Sequence, residues 1–204
     1  MAIENQQAFE LFLKLLAGRV GQEINYNSLS NQVGISSPQI KKWLSILEAS
    51  FIIFKLPPFF NNLGKRLTKS PKIYFTEVGL AVYLLGIETA DQIERDPLFG
   101  NLFENMIVAE AYKNRLNEGK EPGLYFFRDH HQKEIDLLYP KGSSHIPIEI
   151  KSSRTYREDF TKNLRYFQKL MKTADQGLLI YDGDVEIETE NIRVRNFRNL
   201  FNNH

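Results

Sequence analysis

Apolar residues recur at helical spacing in the first fifty positions and at strand spacing further on, and the switch between the two periods lays out the elements. Phe9, Phe12, Leu13 and Leu16 stand at i, i+3, i+4 and i+7, one buried helical face, and predict a helix over 7–16 that Gly18 ends. After an extended piece around Ile24 and Tyr26, Asn27 or Ser28 is the expected cap of a second helix running to Val33. Gly34 supplies a tight turn, and Ser36 or Ser37, with Pro38 at an early helical position, opens a third helix through Glu48. Helix, glycine turn, helix is the pattern of a helix-turn-helix. In the third helix Ile40, Trp43, Leu44 and Leu47 form the apolar stripe, Trp43 being a core residue, so Gln39, Lys41, Lys42 and Ser45 point away from it.

The β-branched and aromatic run over 51–56 and the run over 72–75 predict two strands behind the helices, the arrangement of a wing. A short helix over 77–86 follows, and the acidic stretch 87–97, interrupted by Pro97, is the expected boundary. From there the pattern reads helix over 98–117, strands over 123–128, 133–139 and 145–151, helix over 157–172, strand over 177–181, then a strand over 186–194 and a short terminal helix over 197–201. The expected fold is α+β or α/β in two domains: a winged helix-turn-helix over 1–92 and an α/β domain with a mixed central sheet over 93–204.

Composition changes this picture little. The 204 residues are enough for two small cores, a quarter of them are charged, and there is no internal repeat or low-complexity segment. The chain has no cysteine, which removes disulfides, thiolate metal sites and a cysteine nucleophile and fits a reducing, cytoplasmic setting. No signal peptide or membrane-length apolar run is evident, nor any phosphate loop of the Walker type, so ATP binding by that device is not expected.

Charge is more informative. The net value is +1, but between Ser36 and Phe75 seven cations face the single acid Glu48, a local balance of +6. Lys41 and Lys42 on the third helix, with Gln39, and Lys65, Arg66 and Lys69 in the wing are therefore candidate contacts to a nucleic-acid backbone.

The candidate chemistry lies in the second half. Glu134-Ile135-Asp136 falls on one strand and Glu149-Ile150-Lys151 on the next, so strand alternation puts Glu134 with Asp136, and Glu149 with Lys151, on one face each. In a hairpin Asp136 meets Glu149. Two carboxylates that hold Mg²⁺ or Mn²⁺ against a phosphate, with an ammonium that orients water and offsets developing charge, are what phosphodiester cleavage requires. Glu104, on the preceding helix, is a candidate further ligand, and Arg128 a candidate phosphate contact. The same alternation also suits an ordinary solvated strand face. His130-His131 is read as a solvated turn whose rings point apart.

Several of these runs together resemble a known family. Phe103-Glu104-Asn105, Phe127-Arg128, Glu134-Ile135-Asp136-Leu137-Leu138 and Ile148-Glu149-Ile150-Lys151-Ser152 are similar to the domain of unknown function found as the C-terminal half of many predicted bacterial and archaeal AAA-type ATPases. Leu56-Pro57-Pro58-Phe59, Lys65-Arg66, the run from Lys69 to Phe75, and Gly79-Leu80 resemble the winged-helix part of those proteins. The resemblance implies a restriction-endonuclease-like, PD-(D/E)XK second domain in which Glu104, Asp136, Glu149 and Lys151 match the acidic-acidic-lysine pattern. It also implies an ATPase partner, in the same chain or a separate one. Three functions stay open: a DNA-binding, Mg²⁺- or Mn²⁺-dependent nuclease-like module acting on duplex DNA, a non-catalytic adaptor that brings DNA or protein to such an ATPase, and a transcription regulator.

Overall fold

The computed structural model describes residues 5–59, 70–172 and 175–199. These form two compact units, one holding residues 5–56 and 70–109, the other 57–59, 110–172 and 175–199.

In the first unit α1 (Gln6–Ala17), α2 (Tyr26–Val33) and α3 (Ser37–Ala49) come from the three helical patterns. α1 is capped by the Asn5 side chain and buries Phe12 and Leu16, while Phe9 and Leu13 are half-buried. α2 begins earlier than the sequence suggests: Asn25, not Asn27 or Ser28, is the cap, because its side-chain oxygen accepts the amide of Ser28 at 2.9 Å. Gly34 closes α2 at φ 77°, a left-handed conformation that costs a residue with a Cβ, and Ser36 then caps α3. Ile40, Trp43, Leu44 and Leu47 are buried as the stripe predicts, with Phe9 edge-on to Trp43.

Strand β1 (Ile53–Leu56) pairs antiparallel with β2 (Lys72–Phe75). Phe51 is no strand residue; it sits at φ 55° in the turn that ends α3. α4 (Val78–Leu84) buries only Ala81. The stretch expected to be the boundary contains α5 (Ala90–Arg95), a short helix opened by a Thr89–Gln92 capping box.

α6 (Phe99–Asn117) shows why the compact units do not divide at 92/93. The amide of its buried Asn105 donates to the Phe75 carbonyl at 2.9 Å and accepts from the Phe75 N–H at 2.8 Å, on the side of β2 turned away from β1. The N-terminal half of α6 is therefore part of the first unit's packing. The chain after β1 likewise leaves the hairpin at once: Pro57 to Phe59 belongs to the second unit, where the Phe126 N–H donates to the Pro57 carbonyl and the Phe59 N–H to the Phe126 carbonyl.

The second unit is built on a mixed sheet of six strands among the described residues, in the order β3-β4-β5-β6-β8-β7. β3 (Tyr125–Arg128), β4 (Glu134–Lys141) and β5 (Ser144–Lys151) form an antiparallel meander. From β5 the chain crosses through a short 3₁₀ turn (Glu158–Thr161) and α7 (Lys162–Met171) to β6 (Gly177–Tyr181), which runs parallel to β5. The expected last strand is two, β7 (Ile187–Glu188) and β8 (Ile192–Asn196), because the Thr189 N–H and hydroxyl both donate to the Ile192 carbonyl and fold 189–191 into a turn. A 3₁₀ turn (Phe197–Asn199) replaces the start of the expected terminal helix.

α7 seals one face of this sheet with Leu164 and Phe167, which join Phe127, Ile135, Leu138, Leu179, Tyr181, Ile192 and Val194 in the core. β4 and β5 are buried on both faces along much of their length, as central strands are. Asn105→Ala leaves two buried groups of Phe75 unpaired, and a urea titration should show the protein destabilised by about 2 kcal/mol or more.

Candidate functional site

β4 and β5 bring three of the charged residues named above together. Their paired register begins at Leu137 opposite Ile148, so Asp136 and Glu149 stand one step beyond it. A β-bulge marks the spot. Tyr125 faces Leu138 and Phe127 faces Ile135, so Asp136 and Leu137 together oppose the single residue Phe126, and the strand bends where the carboxylate projects. The Asp136 carboxylate accepts the backbone N–H of Ile150 at 2.8 Å, which anchors it to β5.

Glu149 is 1% exposed. One of its oxygens, Oε2, accepts from Lys151 Nζ at 2.7 Å; the other, Oε1, is buried and has no hydrogen-bond partner among the described residues. Lys151 Nζ also lies 3.5 Å from Asp136 Oδ2, and its side chain is one-third exposed, so a single ammonium bridges the two carboxylates from the solvent side. The hairpin orients all three, and the parallel partner β6 on the far side of β5, where Lys151 faces Tyr181, keeps that strand end rigid.

Burial, and then the negative charge of Asp136, push the Glu149 carboxyl up to about 8, against the pull of Lys151 and of the Asn163 side chain from α7. The donor set suits a hard divalent cation: two carboxylates, one with an oxygen lacking any donor, in a site that a dipositive ion would stabilise. Among the described residues no group of three or more His, Asp or Glu is arranged to hold a metal, so an ion here would take these two carboxylates and complete its shell with water and substrate oxygens.

The other candidates have their own partners or surroundings. Glu104 belongs to the first unit, where its Oε1 accepts from Tyr74 and from the buried Lys72 ammonium at 3.0 Å. Arg128, half-buried, is ion-paired with Glu134 across the β3–β4 pair. On α3, Lys41 and Lys42 are exposed and Gln39 is half-buried, with Lys41 Nζ 5.3 Å from the centre of the Tyr26 ring. Lys65, Arg66 and Lys69 lie outside the described residues. His130 and His131 occupy a solvated turn, but their rings lie together, 3.8 Å between centroids, rather than pointing apart.

Two groups were not singled out from the sequence. Asn163 looks like any polar residue near a helix start, and only the β5-α7 crossover brings it to Glu149. Asp129, 7% exposed, accepts from the Tyr166 hydroxyl and from the N–H groups of His131 and Lys133, and so fixes the turn between β3 and β4. An Asp at the head of a turn before a histidine pair was its one legible signal.

Residues 99–200, half of the chain and nearly the whole second unit, match the model of the domain of unknown function DUF4143. The chain belongs to that family. Residues 1–91 match a second domain of unknown function, DUF8612. Among curated proteins, the uncharacterized proteins Mb2031c of Mycobacterium bovis and Rv2008c of Mycobacterium tuberculosis are each 30% identical over 142 residues, covering 69% of this chain and 31% of their own. The uncharacterized protein MJ1637 of Methanocaldococcus jannaschii is 29% identical over 109 residues, covering 52% of this chain and 22% of its own. The matches to the mycobacterial relatives thus span about three-tenths of those proteins' length. No solved structure matches the chain significantly. Among the described residues no helix is long and apolar enough to cross a membrane.

The raised Glu149 carboxyl has a stability consequence. Between about 4.5, its ordinary value, and about 8, the folded protein binds a proton that the unfolded chain has released, so stability falls as pH rises through that window. Glu149→Gln removes this contribution. Urea midpoints measured across the window should slope downward more steeply for the parent protein than for Glu149→Gln, and parallel curves would contradict the assignment.

Proposed function

We propose that the second unit is a metal-dependent phosphodiesterase module of restriction-endonuclease-like type, and that the first is a winged helix that grips duplex DNA. The observation that carries this reading is the convergence of Asp136, buried Glu149 and Lys151 at one end of the β4–β5 hairpin, with Glu149 Oε1 left without a donor. A buried oxygen of that kind is costly unless something positive meets it. The order of elements, a helix, a three-stranded meander, a helix and a parallel strand, agrees with the fold class that the resemblance implies.

In this reading Asp136 and Glu149 would hold Mg²⁺ or Mn²⁺. Bound there, the ion supplies Lewis acidity at a phosphate oxygen and lowers the pKa of its water. The Ile150 N–H holds the Asp136 carboxylate in place. Lys151, one-third exposed, would orient the attacking water and offset the charge that develops on the phosphoryl oxygens as the new P–O bond forms and the bridging one breaks, the water's proton passing to solvent and the leaving oxygen taking one from it. The bulge at Asp136 and Leu137 gives that carboxylate a fixed direction.

The winged-helix reading of the first unit draws support from three helices followed by an antiparallel strand pair, and from Lys41 and Lys42 standing exposed on the face of α3 opposite its buried stripe. Gln39 shares that helix, and Lys65, Arg66 and Lys69 belong to the segment between the two strands. An AAA-type ATPase is the expected partner, since DUF4143 is commonly seen in proteins associated with such ATPases.

Calorimetric titration with Mn²⁺ and Mg²⁺, run beside incubation with supercoiled plasmid, tests this function. The protein should bind the ion and nick the plasmid. Asp136→Ala should lose both, and Lys151→Ala should lose nicking by about a hundredfold or more. Undiminished nicking in either variant would sink the proposal, and neither binding nor cleavage by the parent protein would favour the non-catalytic adaptor.

A further inference from the structure

We propose that the exposed face of α7 is a track for a phosphodiester backbone, leading the substrate strand to the Asp136–Glu149–Lys151 site; this rests on the reading of that site given above. Between Lys162 and Lys172 the chain carries Lys162, Arg165, Lys169 and Lys172 and no acid. Lys162, Arg165 and Lys169, at i, i+3 and i+7, fall on one side of α7, and Lys172 caps its end at φ 49°; all four residues are exposed, while Leu164 and Phe167 on the opposite side of the helix are buried against the sheet.

The row differs from the cations on the elements around it. Arg154 and Arg198 pair with Asp182, Arg157 with Asp159, Arg193 and Arg195 with Glu188, and Lys141 with Asp175. Lys162, Lys169 and Lys172 form no ion pair with a described residue, and Arg165 reaches only Glu158, at 3.9 Å. Like charges three and four apart on a helix repel one another, a standing cost that a polyanion laid along the row would reverse.

Position and shape agree with this use. β5 and β6 run parallel, so the crossover that joins them starts at the Lys151 end of β5, α7 begins on the side of the site, and the row runs away from it. From Lys162 to Lys169 the helix rises about 10 Å at 1.5 Å per residue, the length of about three nucleotides at 3.4 Å each, so its three cations meet about three phosphates, with Lys172 at the cap beyond them. Arg165 and Lys169 also border a shallow depression of about 590 Å³ lined further by Gln168, Thr189, Asn191 and Ile192, which makes the surface beside the row concave. DNA and RNA share the backbone chemistry that such a row recognises.

The full chain is titrated against fluorescent duplexes of DNA and of RNA with one sequence, without divalent ions, across a range of KCl. The test variant carries Lys162→Gln, Arg165→Gln, Lys169→Gln and Lys172→Gln together, and each single change is made beside it; Lys14→Gln with Lys120→Gln, exposed residues off α7, is the control. For duplex DNA the slope of log Kobs against log salt should shrink by about 3 to 4 in the fourfold variant and by about 1 in each single one, with affinity down by about tenfold or more. The control should move the slope by less than about 1, and matching thermal melts establish that every variant is folded. The duplex that shows the larger loss identifies the backbone. An unchanged slope and affinity in the fourfold variant, or no binding of either duplex by the parent protein, overturns the track. Failure of the site reading looks different: Asp136→Ala then nicks like the parent protein while the slopes stay as described.

Discussion

A carboxylate buried on a central strand governs what surrounds it in the second unit. Glu149 stands on β5 between β4 and β6, nearly sealed from water, where an isolated negative charge is expensive. The structure meets that cost in two ways. Lys151, two residues along the same strand, reaches back to one oxygen, and the carboxyl keeps a proton well above the ordinary carboxylate range. Asp136 pulls the other way, since its own charge makes ionising Glu149 harder. Two acids so close, one of them buried, share a single ammonium, and the proposed function rests on that arrangement.

The first unit solves a different problem. β2 has β1 on one side, and its other edge would present unpaired backbone groups. Ile73 exchanges hydrogen bonds with Gly21 and Gln22, and Phe75 does so with the side chain of Asn105. Lys72 and Tyr74, on the intervening positions, turn to Glu104 on the same helix. A short strand is thus held by a loop and by one turn of α6. The acidic residue that strand and helix spacing suggested for chemistry has a structural task in the first unit.

α7 carries two tasks at once. Its apolar side closes the sheet through Leu164 and Phe167, with Phe167 edge-on to Phe127 at 5.0 Å, and this packing holds the crossover beside β5. Its polar side gathers Lys162, Arg165 and Lys169, with Lys172 at the cap and no intervening acid. Rigid attachment on one side is what lets a charged row on the other keep a fixed line, since lysines on a mobile segment would lose more side-chain freedom on binding.

Much of the architecture was determined by the sequence alone, because the signals are local. The stripe Ile40, Trp43, Leu44, Leu47, the glycine turn at Gly34 and the alternation along β4 and β5 each follow from the period of the backbone they occupy, and the structure contains the corresponding elements. Where local signals compete, the sequence misleads by a few residues. Asn25 wins the cap from Asn27 and Ser28, and the Thr189 hydroxyl splits the last strand in two. The Thr89–Gln92 capping box was legible but masked by a short, acidic, wholly unburied segment. What only the tertiary structure decided is what each charge meets. Alternation puts Glu149 and Lys151 on one face but does not say that one carboxylate oxygen is left without a donor, that a bulge bends the strand at Asp136, or that Asn163 arrives from α7. Nor does it say that Glu104 is engaged by Lys72 and Tyr74, or Arg128 by Glu134. Periodicity is set by neighbours in the chain, whereas the pairing and burial of a charge are set by residues tens of positions away, and only the folded chain brings them within reach.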